Sequence, residues 1–317
     1  MIRSLFLVLP GLAALAACGE PPDDAGPLDG AVATIDGGAA VDGAPVSGDA
    51  AALLELPPEL LALEIRGIAF AADGTVFLWR ASEQGSGIDR ARPPAYVLER
   101  DWMPTTLGLH SELEVRGDSL YFVVQGNLHR ASVDAPSVGA LSAPLATGLD
   151  GMALASAADG TLFYSKVVVV PVPGGGLESF RVFRLPPGGA EQELATNPEG
   201  RIGDVAWHGD QLYVVSLHRR TVHAIDLSGT TPSMRAIGER DGALVYGITV
   251  DDRGRVYYAD SRRLFRFDPA TGQNQVLADQ GILLAENLAL GRGPLRAGDL
   301  YLAAFPGVLV RGVATPQ

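Results

Sequence analysis

The chain has 317 residues, a formal net charge of −13 and 47% hydrophobic residues. Its length is sufficient for a large buried core, and its acidic balance argues against nucleic acid and anionic membrane surfaces as partners. The 39 glycines and 22 prolines, together with many strand-forming residues, favour short strands joined by tight turns. The composition therefore predicts an all-β fold.

Residues 1–17 form a predicted export signal, in which Arg3 precedes an apolar stretch too short to span a bilayer as a helix. The stretch ends in Leu15-Ala16-Ala17-Cys18, which resembles the lipobox of bacterial lipoproteins, and Cys18 is the only cysteine in the chain. We therefore expect lipidation at Cys18 and a membrane partner through this anchor. Gly19 differs from the aspartate that retains some lipoproteins in the inner membrane, which favours the outer membrane of the cell envelope.

Residues 18–52 are predicted to form a disordered acidic linker. After Cys18 the segment has no aromatic and no basic residue, and its carboxylates are spread among glycine, alanine and proline. Such a composition buries too little apolar area to offset the entropy of ordering. The linker is expected to hold the folded body, residues 53–317, away from the membrane.

A repeated unit occupies the chain from residue 66 onward. Each copy has a short apolar strand, a Gly/Asp turn and a second strand that opens with an aliphatic–aromatic pair, as in GIAFAADGTVFLW and GITVDDRGRVYYA. The matching aromatic residues are Phe77, Tyr121, Phe163, Tyr213, Tyr257 and Tyr301. A period in the forties with strands inside each copy predicts a six-bladed β-propeller, whereas a β-sandwich accommodates six copies of one pattern poorly.

The last blade lacks sequence for its fourth strand, because four residues follow the segment 307–313. An incomplete blade would leave bare strand edges. We expect the apolar window 52–65 to supply the outer strand and close the ring. The alternative is a short helix or a loose cover over one end.

The third blade is longer than the others because of residues 166–179. The strand-prone run Val167–Val170 is followed by Pro171, Pro173 and three glycines. This pattern predicts an extended hairpin that projects beyond the ring and could present a surface to a partner.

Two segments resemble blades of known propellers. YGITVDDRGRVYYADSRRLFRFDPATGQ (246–273) is similar to NHL-type and gluconolactonase-type blades, and LLAENLALGRGPLRAGDLYLAA (283–304) to the last blade of the regucalcin and gluconolactonase group. The resemblance covers residues 66–313 and is mainly architectural. It implies a divalent cation at the channel mouth, held by carboxylates and an asparagine at the entry to the innermost strands. The equivalent positions here are Arg66, Ser111, Asp150, Gly203, Tyr246 and Glu286.

These positions depart from the metal site that the resemblance implies. Arg66 stands where a glutamate is implied and Asp150 where an asparagine is implied, and Gly203-Asp204 reverses an implied Asp–Gly order. Two functions therefore stay open. One is a module that binds a protein or small-molecule ligand, and the other is a metal-dependent lactonase.

The channel mouth is the predicted site in both cases. Carboxylates that converge there repel one another unless they are paired, protonated or bridged by a cation, and hard oxygen ligands suit Ca²⁺ or Mg²⁺. The first-ranked metal ligands are the entry residues Asp150 and Glu286. Asp204 and Glu112 lie one residue further along their strands. Because successive side chains of a strand point to opposite faces, these two residues rank second. The predicted ligand-binding residues are Arg66, Tyr246 and Asn287.

Overall fold

Each copy of the sequence repeat folds into one four-stranded antiparallel sheet, and the described residues form six such sheets. The computed structural model describes residues 53–54, 65–82, 85–104, 112–172, 175–197, 200–217, 221–229, 232–239, 245–260, 263–278, 285–292, 299–304 and 309–313. Within these ranges no helix is long and apolar enough to cross a membrane. The signal peptide, Cys18 and the linker lie outside the described residues, so they remain predictions.

The first three blades each contain four consecutive strands. Blade one has β2 (Ile65–Phe70), β3 (Val76–Ser82), β4 (Gly85–Arg92) and β5 (Val97–Pro104). Blade two has β6 (Leu113–Arg116), β7 (Ser119–Val124), β8 (Asn127–Ser132) and β9 (Ala146–Thr147). Blade three has β10 (Leu149–Ser156), β11 (Leu162–Val172), β12 (Gly175–Leu185) and β13 (Gln192–Asn197).

The other three blades repeat this pattern, with one exception at the end of the ring. Blade four has β14 (Ile202–His208), β15 (Gln211–Ser216), β16 (Thr221–Asp226) and β17 (Ser233–Glu239). Blade five has β18 (Val245–Val250), β19 (Val256–Asp260), β20 (Leu264–Asp268) and β21 (Gln273–Ala278). Blade six has β22 (Ala285–Leu290), β23 (Leu300–Ala304), β24 (Leu309–Val313) and, from the start of the body, β1 (Leu53–Leu54).

The innermost strands form a closed ring around a central channel. Each of β2, β6, β10, β14 and β18 contacts the next innermost strand, and β22 contacts β2. Six apolar clusters lie between neighbouring blades, and each draws its residues from both of them. The repeated aromatic residue belongs to one of these clusters in every blade: Phe77, Tyr121, Phe163, Tyr213, Tyr257 and Tyr301. The six-bladed propeller predicted from the repeat is therefore confirmed.

The ring closes as the sequence predicts. Strand β1 pairs with β24 in antiparallel register, so that Leu53 lies opposite Val313 and Leu54 opposite Gly312. The segment before the first blade thus completes the last one. The strand edge of β24 that would otherwise be bare is covered at these residues.

The extended hairpin of blade three is also confirmed. Strands β11 and β12 stay paired from Leu162–Leu185 out to Val172–Gly175. The neighbouring strands stop earlier, since β10 pairs with β11 no further than Lys166 and β13 pairs with β12 no further than Phe180. The hairpin beyond these residues is therefore a two-stranded extension of a four-stranded blade.

Candidate functional site

Bulges mark the points where the inner strands enter the channel. Five of the six inner strands have an irregular register there, and β2, β14 and β22 each contain one extra residue, which is Arg66, Gly203 or Glu286. A bulge changes the direction of the side chains around it and locally breaks the alternation of faces. Five entry residues predicted from the sequence, these three together with Asp150 of β10 and Tyr246 of β18, therefore sit in or beside bulges rather than in regular strand.

The next residue of each repeat follows an alternating pattern around the ring. In blade order the residues are Gly67, Glu112, Gly151, Asp204, Gly247 and Asn287. The polar side chains of this layer are buried, with 8% of Glu112 and 2% each of Asp204 and Asn287 exposed. A Cβ atom at Gly247 would lie 3.1–3.2 Å from the backbone of Asn287 and Leu288, so glycine allows the inner strands of blades five and six to approach closely. Polar and glycine positions thus alternate in this layer.

Asp204 and Asn287 make the same contact in different blades. Asp204 Oδ2 accepts a hydrogen bond of 2.8 Å from the Ile248 amide, and Asn287 Oδ1 accepts one of 3.0 Å from the Ile68 amide. Each side chain thus binds the inner strand of the following blade. Asn287 Nδ2 also donates to Glu112 Oε1, so that blades six, one and two are joined at the axis. We call Glu112, Asp204 and Asn287 the polar layer.

A cavity of about 200 Å³ runs along the channel from the polar layer. It continues past Glu114 and Ser156 towards the ends of the inner strands. Its polar lining comprises Glu112, Glu114, Arg116, Ser156, Asp204, His208, Thr249, Asp251, Asp252, Asn287 and Arg292. Arg292 and Asp252 are exposed. The cavity therefore has a buried acidic end and a more exposed end where both signs of charge meet.

Glu114 is the titratable group at the centre of this cavity. It accepts a hydrogen bond of 2.5 Å from Ser156 Oγ of the next blade. Burial raises the pKa of the Glu114 carboxyl to about 7, although the Ser156 hydroxyl and the charges of Arg292 and Arg116 act in the opposite direction. Glu114 can therefore take up or release a proton near neutral pH.

Asp204 also favours its protonated form more than an ordinary aspartate. Burial raises the pKa of its carboxyl well above the usual range, the amides of Ile248 and Val205 oppose this, and the negative charge of Glu114 adds to it. The two carboxyls therefore titrate as interacting groups.

The structure separates the predicted site residues into two sets. Glu112, Asp204 and Asn287 line the cavity. Arg66, Tyr246 and Asp150 do not belong to its lining, and the side chain of Glu286 lies outside the described residues. The cavity lining thus includes the second-ranked Asp204 and Glu112, whereas the ranking of these residues and Asp150 as metal ligands stays a prediction.

Glu114, Arg116, Ser156 and Arg292 were not predicted from the sequence. A signal for the first two was present, since Glu112, Glu114 and Arg116 alternate along one strand and therefore share a face. Ser156 and Arg292 come from other blades, and only the ring places them beside Glu114.

The described residues do not fit the metal site that the resemblance implies. Arg66 places a positive charge where the resemblance implies a carboxylate. Asp150 stands where an asparagine is implied, and its Oδ1 already accepts a hydrogen bond of 2.5 Å from Ser165 Oγ. Among the described residues, no group of three or more histidine, cysteine, aspartate or glutamate side chains is placed to hold a metal ion.

Comparison with solved structures identifies similar propellers at low sequence identity. A gluconolactonase from Xanthomonas campestris matches with a TM-score of 0.60 and 18% identity, over 81% of this chain and 87% of that chain. A calcium-binding regucalcin from Agrobacterium tumefaciens matches with a TM-score of 0.56 and 13% identity, over 77% and 83%. A streptogramin B lyase matches with a TM-score of 0.53 and 13% identity, over 84% and 87%.

No protein-family model and no curated protein sequence matches the chain. At identities of this size the structural similarity establishes the fold alone. The chain therefore has the β-propeller fold of the gluconolactonase and regucalcin group.

Proposed function

We propose that this protein is a lipid-anchored component of the cell envelope that binds a small polar ligand in the central channel of its propeller. The observation that carries the proposal is the polar cavity itself. It is about 200 Å³ in volume, has carboxyl groups at its buried end and has Arg116 and Arg292 on its wall. Convergent polar groups from several elements in one concave site are typical of ligand binding.

The charges of the cavity favour a particular kind of ligand. Glu112, Glu114 and Asp204 supply oxygen acceptors, which suit a cationic group or a hydroxyl group of a ligand. Arg116 and Arg292 suit an anionic or carbonyl oxygen on the same molecule. A small ligand that carries both kinds of group fits the lining best.

Isothermal titration calorimetry tests the binding proposal. The probes are Ca²⁺, Mg²⁺, Mn²⁺ and Zn²⁺, followed by amino acids and small hydroxy acids. We expect at least one probe to bind, and Glu114→Gln to weaken this binding while Glu178→Gln, on the exposed hairpin, leaves it unchanged. Absence of heat with every probe, or equal binding by both variants, would contradict a ligand site in the channel.

Lactone hydrolysis is the second candidate function, and its support is the fold shared with a solved gluconolactonase. A lactone panel distinguishes it from binding alone. Because the described residues do not fit the metal site implied for the lactonases, we expect no turnover with or without added divalent cations. Metal-stimulated hydrolysis that Asp150→Ala abolishes would establish the lactonase instead.

The anchor requires a separate experiment, since it rests on the sequence. The lipobox resemblance at Leu15-Ala16-Ala17-Cys18, the absence of a second cysteine and the acidic linker support it. Acyl chains on Cys18 would hold the protein at the membrane, with Gly19 favouring the outer one. We expect Cys18→Ser to release the protein from the membrane fraction and to remove the acyl mass. Retention of the Cys18→Ser protein in the membrane fraction, together with no acyl mass on the wild-type protein, would contradict the anchor.

A further inference from the structure

A second cavity lies between blades three and four, beside the turns that join the first and second strands of these blades. Its volume of about 550 Å³ exceeds that of the channel cavity and lies within the range of about 300–1,000 Å³ that is typical of small-molecule sites. The residues that give it its chemical character are Asp159, Phe163, Arg184 and Gln192 of blade three and Trp207 and Asp210 of blade four. We call this cavity the inter-blade groove.

Trp207 of β14 gives the groove an aromatic surface. It lies opposite Leu212 in the sheet, and both residues pack in the apolar cluster that blades three and four share. The equivalent residue of blade one, Phe70, is 5% exposed, and its ring centroid lies 4.9 Å from that of Tyr301 in the neighbouring blade. Trp207 is only half-buried and lines the groove. The repeat therefore places a buried aromatic in blade one and an accessible one in blade four.

Arg184 and Gln192 form a polar wall on blade three. Arg184 lies opposite Phe163 on one side and opposite Gln192 on the other, so the three side chains share one face of the sheet. Phe163 belongs to the cluster shared with blade four, which shows that this face is turned towards Trp207. Arg184 Nε donates a hydrogen bond of 2.8 Å to Gln192 Oε1. Because a guanidinium group has five N–H donors, Arg184 can also donate to a ligand.

Carboxylates lie on both walls of the groove. Asp159 is held by its own turn, where Oδ1 accepts a hydrogen bond of 2.8 Å from the Thr161 amide and Oδ2 one of 3.1 Å from the Thr161 hydroxyl. The bond from the Thr161 amide lowers the pKa of Asp159, so the carboxyl is ionised at neutral pH. Each carboxylate oxygen can accept a further hydrogen bond. Asp210 is exposed in the first turn of blade four and supplies the second carboxylate.

We propose that the inter-blade groove binds a neutral oligosaccharide, with one sugar ring on Trp207 and its hydroxyl groups hydrogen-bonded to Arg184, Asp159 and Asp210. The C–H face of a sugar ring is apolar and packs on an aromatic side chain, as other apolar groups do. Hydroxyl groups both donate and accept, so they can pair with carboxylates and with a guanidinium group at once. A cationic ligand would be opposed by Arg184, and an anionic ligand would be opposed by the two aspartates.

The groove is distinct from the channel cavity, although the two are adjacent. Trp207 contributes to the lining of both. Asp159 and Arg184 line the groove and not the channel, whereas Glu114 and Arg292 line the channel and not the groove. The oligosaccharide proposal therefore does not rest on the channel site, and Glu114→Gln should leave oligosaccharide binding unchanged.

Quenching of tryptophan fluorescence by acrylamide tests binding at the groove. The chain has three tryptophans, and Trp79 and Trp102 are only 1% and 2% exposed, so the quencher reaches mainly Trp207. The probes are maltotriose, cellotriose, mannotriose and tri-N-acetylchitotriose, with choline and citrate as charged comparisons. We expect at least one trisaccharide to protect Trp207 in a saturable manner. No protection by any trisaccharide would overturn the proposal, and protection by choline or citrate in its place would assign a charged ligand to the groove.

Calorimetry with the protecting trisaccharide locates the site. Arg184→Ala should weaken binding at least about tenfold, because hydrogen bonds from a charged donor are lost. Arg130→Ala is the matched control, since Arg130 is exposed and lies opposite Tyr121 in blade two just as Arg184 lies opposite Phe163 in blade three. Thermal melting confirms that both variants are folded. Equal affinity of the two variants, or loss of binding in Glu114→Gln, would refute the groove as the oligosaccharide site.

Discussion

At the scale of single residues, Asp204 and Asn287 accept equivalent hydrogen bonds with different functional groups. Each accepts a hydrogen bond from a backbone amide in the inner strand of the next blade. An amide buried near the axis requires such an acceptor, because leaving it unpaired costs about 1–3 kcal/mol. For this contact the carboxyl group at 204 and the carboxamide at 287 are equivalent acceptors, whereas the other oxygen of Asp204 also accepts a hydrogen bond of 2.7 Å from the Val205 amide.

This equivalence leads to a prediction for Asp204. Asp204→Ala should lower the free energy of unfolding by about 1–3 kcal/mol, since the Ile248 and Val205 amides lose their acceptor. Asp204→Asn should cost less than Asp204→Ala, because its Oδ1 can still accept the bond from Ile248, although its Nδ2 cannot accept one from Val205. Urea denaturation monitored by tryptophan fluorescence measures both. Equal destabilisation by the two substitutions would show that the hydrogen bond from Ile248 contributes little to stability.

Glu114 makes stability depend on pH. Its folded-state pKa of about 7 lies above the ordinary value of 4.5 for a glutamate, so between these values the folded protein binds more protons than the unfolded one. The contribution is fully present below about pH 4.5 and is lost as the pH rises through 7. At about 1.4 kcal/mol per unit, the loss is on the order of 3 kcal/mol.

Glu114→Gln should remove this contribution. We expect the free energy of unfolding of the wild-type protein to decline from pH 5 to pH 8, and that of the variant to decline less, with Asp204 accounting for the remainder. Denaturant titrations at a series of pH values make the comparison. Parallel pH profiles for the two proteins would contradict the raised pKa.

At the scale of elements, blade one is joined to blade two by a buried arginine. Arg90 of β4 donates to Glu99 of β5 through Nε and Nη2, at 2.9 and 2.5 Å. Its Nη1 donates to the carbonyls of Val133 and Ala135, at 3.0 and 2.6 Å, in the segment between β8 and β9. The guanidinium also lies 5.0 Å from the ring of Trp102. One planar group thus satisfies a carboxylate and two backbone carbonyls at once.

Lysine cannot reproduce this set of contacts because it lacks the planar fork of donors. We expect Arg90→Lys to lower the free energy of unfolding by about 1–3 kcal/mol, and Arg92→Lys, at an exposed position on the same strand, to change it by less than about 0.5 kcal/mol. Thermal and urea melts provide the measurement. A small effect at Arg90 would mean that the segment at 133–136 is held by other contacts.

The elements were largely predictable from the sequence, whereas the faces of the inner strands were not. Hydrophobic alternation and the turn signals located the strands, and the run at Val167–Val170 located the long hairpin. The channel residues depend on the bulges at Arg66, Gly203 and Glu286, which shift the alternation by one residue. A bulge has no strong sequence signal of its own, so the residues that line the cavity could not be assigned from strand alternation alone.

At the scale of the whole molecule, the ring depends on a pairing between the two ends of the folded body. Strand β1 covers only two residues, Leu53 and Leu54, and these pair with Gly312 and Val313 of β24. The need for an additional strand in blade six was predictable, because the last repeat is too short to supply its own fourth strand. The register of β1 was not predictable, because a strand of two residues is too short to show hydrophobic alternation.

Truncation tests the contribution of this closure. A chain that begins at residue 53 retains β1, and one that begins at residue 55 lacks it. We expect the shorter chain to have a lower Tm, at about 2–4 °C per kcal/mol for a domain of this size, and to aggregate more, since β24 then has an open edge. Equal melting temperatures for the two chains would show that closure by β1 is dispensable.

The same pairing brings the first and last described residues of the propeller side by side. Because β1 runs antiparallel to β24, Val313 and Leu53 are neighbours, and a short glycine-rich loop could join them without distorting either strand. The order of the blades along the chain would then become arbitrary. New termini could be opened at an exposed turn such as Gly188–Gly189, between β12 and β13. The propeller is thus suited to circular permutation, which would allow a tether to be attached at any chosen blade.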